Sequence, residues 1–132
     1  MAKKLSEIDL KNLEDQFRNK KIWKNNLARI EFFIRKKNPE ASENEIKKII
    51  GMHSGFAYYT RLVKNIEEAY EELPMDLKKI VDKYFWGEYH YLNWKEIADV
   101  EIISESTSYK RRRYPILEKL AYKKGELYDE NH

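Results

Sequence analysis

Apolar side chains recur along the first third of the chain with the spacing of an amphipathic helix. Leu10, Leu13 and Phe17 follow an i, i+3, i+7 pattern, and Trp23, Leu27, Ile30 and Ile34 continue it. The stripe slips near residues 19–22, so residues 6–37 are predicted to form one bent helix or two helices in series. Ser6 and Asp9 form a variant of the capping box at its start.

A proline and a glycine bound the next predicted helix. The residue before Pro39 is pushed out of the helical region, so the first helix should end at Asn38. Ser42 and Glu45 form a second capping box, and Gly51 suits the end of that helix. Residues 52–55 are expected to form a loop.

Two amphipathic helices follow: one over residues 56–72, and one that opens at Pro74 and continues to Gly87. The apolar stripe of the first consists of Tyr59, Leu62, Val63, Ile66, Tyr70 and Leu73, and that of the second of Leu77, Ile80, Val81, Tyr84 and Phe85. Pro74 suits the first turn of the second helix. Gly87 should end this second helix, which we call the support helix.

Residues 93–120 have the pattern of a short helix, a tight turn and a longer basic helix. Asn93 and Glu96 form a capping box, and Ser104 is an N-cap for the second helix. The small side chain of Ala98 would let that helix cross closely. This arrangement is typical of a DNA-binding helix-turn-helix.

The sequence therefore predicts an all-α protein, a helical N-terminal segment followed by a three-helix unit that contains the helix-turn-helix. We place the segment at residues 1–72, the DNA-binding domain at 73–125 and a tail at 126–132. The segment is a candidate for oligomerisation or partner contacts.

Composition agrees with this class. The 132 residues are 42% hydrophobic and 37% charged, and four Gly and three Pro are too few for a turn-rich β-sandwich. There is no Cys, which excludes disulfides and thiolate metal sites and agrees with a cytoplasmic location. No apolar run approaches the roughly 20 residues of a membrane span, so we expect no membrane partner.

Charge is distributed unevenly. Residues 1–37 have a net charge of +6, residues 38–105 of −6 and residues 106–132 of +3. Basic ends favour a polyanionic partner more than the total of +3 suggests. The basic residues of the first helix (Lys20, Lys21, Lys24, Arg29, Arg35, Lys36 and Lys37) are interpreted as a solvated face, with an auxiliary DNA-backbone contact as the alternative.

No residues converge as in an enzyme, and we expect no catalysis, no cofactor and no metal. None of the three His residues pairs with another ligand at helical spacing. The dense acidic group, Glu67, Glu68, Glu71 and Glu72, would suit a divalent cation only if a second helix supplied ligands. A solvated acidic face is the simpler interpretation.

The basic helix is the strongest functional signal. The predicted DNA-binding residues are Trp94, Lys95, Ser104, Ser106, Thr107, Ser108, Tyr109, Lys110, Arg111, Arg112 and Arg113. Four consecutive cations span a full turn, so two should contact phosphates and at most two should reach base edges. Trp94 and Tyr109 could instead pack inside the protein.

Three positions depart from the usual motif. Ile102 stands where the turn commonly has Gly, Ser108 stands where an apolar residue is normally buried, and Pro115 falls inside the second helix. Because proline removes one backbone hydrogen bond, we expect a kink there.

These residues resemble a known family. Leu73-Pro74, Trp94-Lys-Glu-Ile-Ala98 and the run from Ser104 to Arg113 are similar to the region-4-type helix-turn-helix of sigma factors. The Ser-x-Ser-Thr-x-Tyr-basic run resembles the RinA/ArpU-type late transcription activators of phages and mobile islands of Gram-positive bacteria. The resemblance implies promoter DNA as the partner, activation of late genes and contact with host RNA polymerase.

Two other functions remain open from the sequence. A small terminase-type DNA-recognition subunit is also helical, although it would carry the motif nearer its N-terminus. A sigma-like adaptor would bind polymerase without reading DNA. A homodimer is expected if one motif gains specificity through paired half-sites.

Overall fold

The structure is a computed structural model that describes residues 4–127. Within that range every regular element is helical, which confirms the all-α prediction. The helices are α1 (Glu7–Arg18), α2 (Lys20–Lys37), α3 (Glu43–Met52), α4 (Ser54–Glu71), α5 (Met75–Ile80), α6 (Trp94–Glu101), α7 (Glu105–Ser108) and α8 (Tyr114–Lys123). No helix in the described part of the chain is long and apolar enough to cross a membrane.

The chain divides into two compact units. One consists of residues 19–64, which we call the middle unit; the other, the composite unit, combines residues 1–18 with residues 65–132. This division differs from the predicted boundary at residue 72, because α1 belongs with the C-terminal helices. Most of the predicted tail, residues 128–132, lies outside the described residues.

In the middle unit, helix boundaries follow local chemistry. The slip in the apolar stripe becomes a break at Asn19, and α2 ends at Lys37 before Asn38-Pro39, both as predicted. Ser42 caps α3 by accepting from the Glu45 N–H at 3.2 Å. The predicted loop at 52–55 is wrong, since only His53 separates α3 from α4.

His53 explains this short connection. Its Nδ1 accepts the Phe56 N–H at 3.1 Å, so the imidazole caps the start of α4. Gly51 lies inside α3 and does not end it, which corrects its predicted role. The ring of Trp23 stacks on that of Tyr59, with centroids 5.7 Å apart.

In the composite unit, the predicted stripe of the support helix forms the core. Ile80, Val81 and Tyr84 are at most 2% exposed, and the stripe residues Leu77 and Phe85 are also buried. From α1, Leu13 and Phe17 are buried, and the Phe17 ring meets Phe85 edge-on at 5.5 Å. The Phe17 carbonyl accepts the Trp86 indole N–H at 2.9 Å, which fixes the end of α1 beside the end of the support helix.

The support helix ends with a wide turn. After α5 the chain continues as a π-helical segment, Val81–Phe85, and the Trp86 N–H donates to the Val81 carbonyl five residues earlier. At Gly87 a Cβ would lie only 2.9 Å from the Lys83 carbonyl oxygen. Only glycine fits this close approach, so the predicted stop at Gly87 is confirmed with a physical reason.

Candidate nucleic-acid interface

Helix α6 begins with the predicted capping box. The Asn93 side chain accepts the Glu96 N–H at 2.9 Å, and the Glu96 carboxylate accepts the Asn93 N–H at 3.0 Å. Ile97 and Ala98 follow and are buried, at 0% and 2% exposure. The capping box therefore fixes where α6 starts, and its inner face is anchored by one branched and one small side chain.

The turn after α6 depends on one unusual backbone conformation. Ile102 is left-handed, with φ 57° and ψ 48°, where the sequence lacks the usual glycine. Its conformation lets the Ile103 N–H donate to the Ala98 carbonyl at 3.0 Å, which closes the end of α6. The Ile102 side chain is 91% exposed, so no burial offsets the strain of a β-branched residue in this region.

Ser104 starts the next helix as predicted. Its Oγ accepts the Thr107 N–H at 3.1 Å and donates to the Thr107 hydroxyl at 2.8 Å. Both hydroxyls thus serve first as a helix cap. Either can still accept a further hydrogen bond from a ligand, since a hydroxyl has two lone pairs.

The helix that follows is continuous but not regular. Helix α7 passes into a π-helical segment, Tyr109–Arg113, and then into α8. The Tyr114 N–H donates to the Tyr109 carbonyl, five residues back. Pro115 lacks an N–H and would clash with the carbonyl four residues earlier, so the wide turn accommodates it where a kink was expected.

Most of the predicted contact residues lie at the surface. Exposed or partly exposed are Lys95, Ser104, Ser106, Thr107, Tyr109, Lys110 and Arg111, which together we call the candidate interface. Ser106 and Lys110 are one turn apart, as are Thr107 and Arg111, so they form adjoining rows on one helix. Tyr109 is 39% exposed and its ring lies 6.4 Å from the Trp94 ring.

Ser108 does not belong to this surface, which corrects its predicted role. The side chain is fully buried, and within residues 4–127 its Oγ has no hydrogen-bond partner. It occupies an inward position of the kind that a helix-turn-helix normally fills with an apolar side chain. A buried group cannot reach DNA while the core stays packed.

Trp94 and Arg113 are also removed from the predicted contacts. Both are 6% exposed, and both donate to Oε1 of Glu14 on α1, at 2.8 Å from Trp94 Nε1 and 2.8 Å from Arg113 Nε. Arg113 also pairs with Glu7 at 3.0 Å. These hydrogen bonds hold α1 against the C-terminal helices, and the burial of both side chains removes them from a phosphate at the surface.

Glu14 is the centre of this network, and sequence reasoning missed it. Its second oxygen accepts Arg18 Nε at 2.8 Å, and Arg18 also donates to the Tyr84 carbonyl at 2.8 Å. Burial alone would raise the pKa of Glu14, but the hydrogen bonds from Arg113 and Trp94 and the charge of Arg18 outweigh it, so the pKa is lowered. The sequence feature that could have identified Glu14 is its position one turn after Leu10, at the edge of the apolar stripe.

Arg112 is half-buried and engaged in an ion pair. Its guanidinium lies 3.8 Å from Glu101 on α6, and the same carboxylate accepts the Tyr84 hydroxyl at 2.6 Å. Lys83 approaches the other side of Glu101 at 3.7 Å. Of the four consecutive cations, therefore, only Lys110 and Arg111 point outward.

Two open clefts flank the inward-turned Arg113. The first, of about 480 Å³, is lined by Glu7, Glu14, Asp15 and Trp94 among others. The second, of about 450 Å³, is lined by Lys4, Lys110 and Tyr114 among others. The first cleft has three carboxylates against two cations, Lys11 and Arg113, which disfavours a phosphate there.

Two members of the acidic group, at the end of α4 and just after it, form ion pairs. Glu72 pairs with Lys123 and lies 3.8 Å from Lys119, while Glu71 lies 3.7 Å from Lys78. Hydrogen bonding to Lys123 lowers the pKa of Glu72. Across residues 4–127 no three His, Asp or Glu side chains are placed to hold a metal ion.

Comparison with known proteins gives no relative. The chain matches no protein-family model, no curated protein and no solved structure. The side chains of the candidate interface are therefore the basis for a proposed function.

Proposed function

We propose that the protein is a sequence-specific DNA-binding transcription activator of the phage late-gene kind, with a sigma-region-4-like helix-turn-helix formed by α6, α7 and α8. In this proposal α6 positions the motif and the helix from Glu105 enters the major groove. Contact with RNA polymerase and pairing as a homodimer are part of the same proposal.

The observation that carries it is the outward direction of Lys110 and Arg111 beside exposed hydroxyls on one helix. Ser106 and Lys110 lie in one row, and Thr107 and Arg111 lie in the next. Both rows are near the N-terminal end of the helix, which Ser104 caps. Cations supply phosphate contacts, and Arg111 can also bind a guanine edge with two donors. Lys95, in the first turn of α6, is exposed and can reach a flanking phosphate.

The test is duplex binding by a double variant, Lys110→Ala with Arg111→Ala, against a duplex selected from random sequences. If both residues contact phosphate, affinity falls and the slope of log affinity against log salt flattens by about 1.8. The charge-matched control is Lys78→Ala with Lys79→Ala on α5, which should keep the original slope. Unchanged affinity and slope in the first variant, with the helical circular dichroism intact, would remove the proposal.

One observation favours a second candidate, a sigma-like adaptor that binds polymerase without reading DNA. The composite unit contains 15 Lys/Arg and 19 Asp/Glu, a net charge of −4. Outside the candidate interface, this negative charge would repel a polyanion. Absence of salt-dependent duplex binding, combined with capture of purified RNA polymerase, would favour the adaptor.

A further inference from the structure

The middle unit has a higher net positive charge than the whole chain. Residues 19–64 contain 11 Lys/Arg and only 4 Asp/Glu, a net charge of +7, whereas the whole chain is +3. The net charges of residues 1–37 and 38–105 do not reveal this, because the boundary between these two ranges divides the unit. A net charge of +7 on 46 residues favours binding to a polyanionic partner.

The few carboxylates of this unit do not cancel that charge evenly. Glu31 and Glu43 both bind one guanidinium, that of Arg35, at 3.1 Å and 2.6 Å. Glu45 is used in the cap of α3 with Ser42, at 3.1 Å. Two of the unit's four carboxylates thus bind the single cation Arg35, and a third is used in the cap of α3.

One face of α2 combines cations with exposed apolar rings. Lys21, Asn25, Arg29, Phe32 and Lys36 recur at i, i+4, i+8, i+11 and i+15 and so lie along one side of the helix, opposite the buried Ile34. All five are exposed. Phe33 and Ile22 border the row, and we call this set the outward face of α2.

The rings on this face are open to solvent. Phe32 is 61% and Phe33 51% exposed, and their centroids lie 6.0 Å apart with the rings edge to face. Aromatic side chains at the surface, between cations and over a helix about 27 Å long, form the combination that binds single-stranded nucleic acid. Bases stack on the rings while phosphates lie against Lys and Arg.

We propose that the outward face of α2 is a second nucleic-acid site, which binds single-stranded nucleic acid. Charge argues against the same face of a second copy as the occupant, since two faces of the same sign repel. A duplex would satisfy the cations but hides its bases from the phenyl rings. This inference does not depend on duplex recognition by the candidate interface.

The experiment uses the full chain and a fluorescent, mixed-sequence single-stranded oligodeoxynucleotide longer than α2. The variant Phe32→Ala with Phe33→Ala should bind it about tenfold more weakly, or worse, because stacking is lost. The variant Lys21→Ala, Arg29→Ala, Lys36→Ala should flatten the slope of log affinity against log salt by about 2. The five substituted side chains of these two variants are exposed, so the midpoint of thermal unfolding should stay close to that of the parent protein.

The matched control removes three exposed cations elsewhere in the same unit: Lys47→Ala, Lys48→Ala, Arg61→Ala. It should keep most of the single-strand affinity. An equal loss in this control would overturn the assignment to α2, and so would unchanged affinity in the double phenylalanine variant.

Two competing ligands complete the test. A duplex of the same sequence and vesicles of equal parts phosphatidylcholine and phosphatidylserine should both bind more weakly than the single strand. Tighter binding to either, with the same dependence on Phe32 and Phe33, would overturn the proposal. Failure of the Lys110 and Arg111 test removes the proposed function but leaves these outcomes unaffected.

Discussion

At the scale of single residues, Ser108 shows how a buried position can carry the wrong chemistry for its surroundings. Its Oγ is the buried side-chain polar atom within residues 4–127 that has no hydrogen-bond partner. Burying an unpaired hydroxyl costs about 1–3 kcal/mol, and alanine is also the better helix former. We therefore expect Ser108→Ala to raise the free energy of unfolding by about 1 kcal/mol, measured by urea denaturation.

The control for this prediction is Ser106→Ala, two residues away and exposed. It should change the free energy of unfolding by less than about 0.5 kcal/mol. Duplex affinity should fall in Ser106→Ala and stay unchanged in Ser108→Ala. A loss of stability in Ser108→Ala would mean that the hydroxyl is hydrogen-bonded after all.

Ile102 is the second residue whose type conflicts with its conformation. At φ 57° a β-branched side chain is strained by roughly 1–2 kcal/mol, and being 91% exposed it gains little from packing. Ile102→Gly should therefore increase stability by about 1 kcal/mol in thermal or urea unfolding. Val100→Gly, an exposed β-branched residue in ordinary helical backbone, should decrease it by a similar amount. If both variants lost stability, strain at Ile102 would be excluded.

At the scale of helices, local chemistry made most boundaries predictable. The caps at Ser6, Ser42, Asn93 and Ser104 use side chains within three residues of their partners, so the sequence contains the whole interaction. The apolar stripe of the support helix is likewise buried as predicted. The cap that was missed is His53, because an imidazole is an uncommon N-cap and its glycine neighbours suggested a loop.

The direction of individual side chains on the basic helix could not be predicted in the same way. The π-helical segment shifts the helical phase at Tyr109–Arg113, and it turns Arg113 inward. The partner that holds Arg113 there, Glu14, is 99 residues away in sequence. A contact of that separation is decided by how α1 packs, which no local pattern specifies. The four cations therefore divide into two outward and two engaged residues for non-local reasons.

At the scale of the whole molecule, the division into units changes the meaning of the charge pattern. Counted over residues 1–37, 38–105 and 106–132, the sequence has two basic ends and an acidic middle, whereas the two units have net charges of +7 and −4. The sequence could supply the total but not the grouping, because α1 leaves its neighbour α2 to join helices far along the chain. The proposed single-strand site follows from that grouping, whereas the candidate interface lies on the unit with a negative net charge.

Attachment of α1 within the composite unit should depend on pH through Glu14. Its folded pKa lies below the ordinary 4.5, so ionised Glu14 stabilises the fold above about pH 4.5, and this contribution is lost as the pH falls through the lowered folded value. Glu14→Gln leaves Arg113 and Arg18 without their shared counterion. We expect it to cost about 3 kcal/mol at neutral pH, with a smaller cost in acid, by urea denaturation across pH.

The exposed neighbour Glu7 separates this network from ordinary surface charge. It pairs with the same Arg113, but its side chain is 65% exposed, so Glu7→Gln should cost no more than about 1 kcal/mol at neutral pH. The other carboxylates whose pKa is lowered, Glu43 and Glu72, are unchanged in both variants and cancel from the comparison. If the Glu14 and Glu7 variants lost stability equally, or if the parent and Glu14→Gln lost it equally on acidification, α1 would be held by its apolar stripe alone.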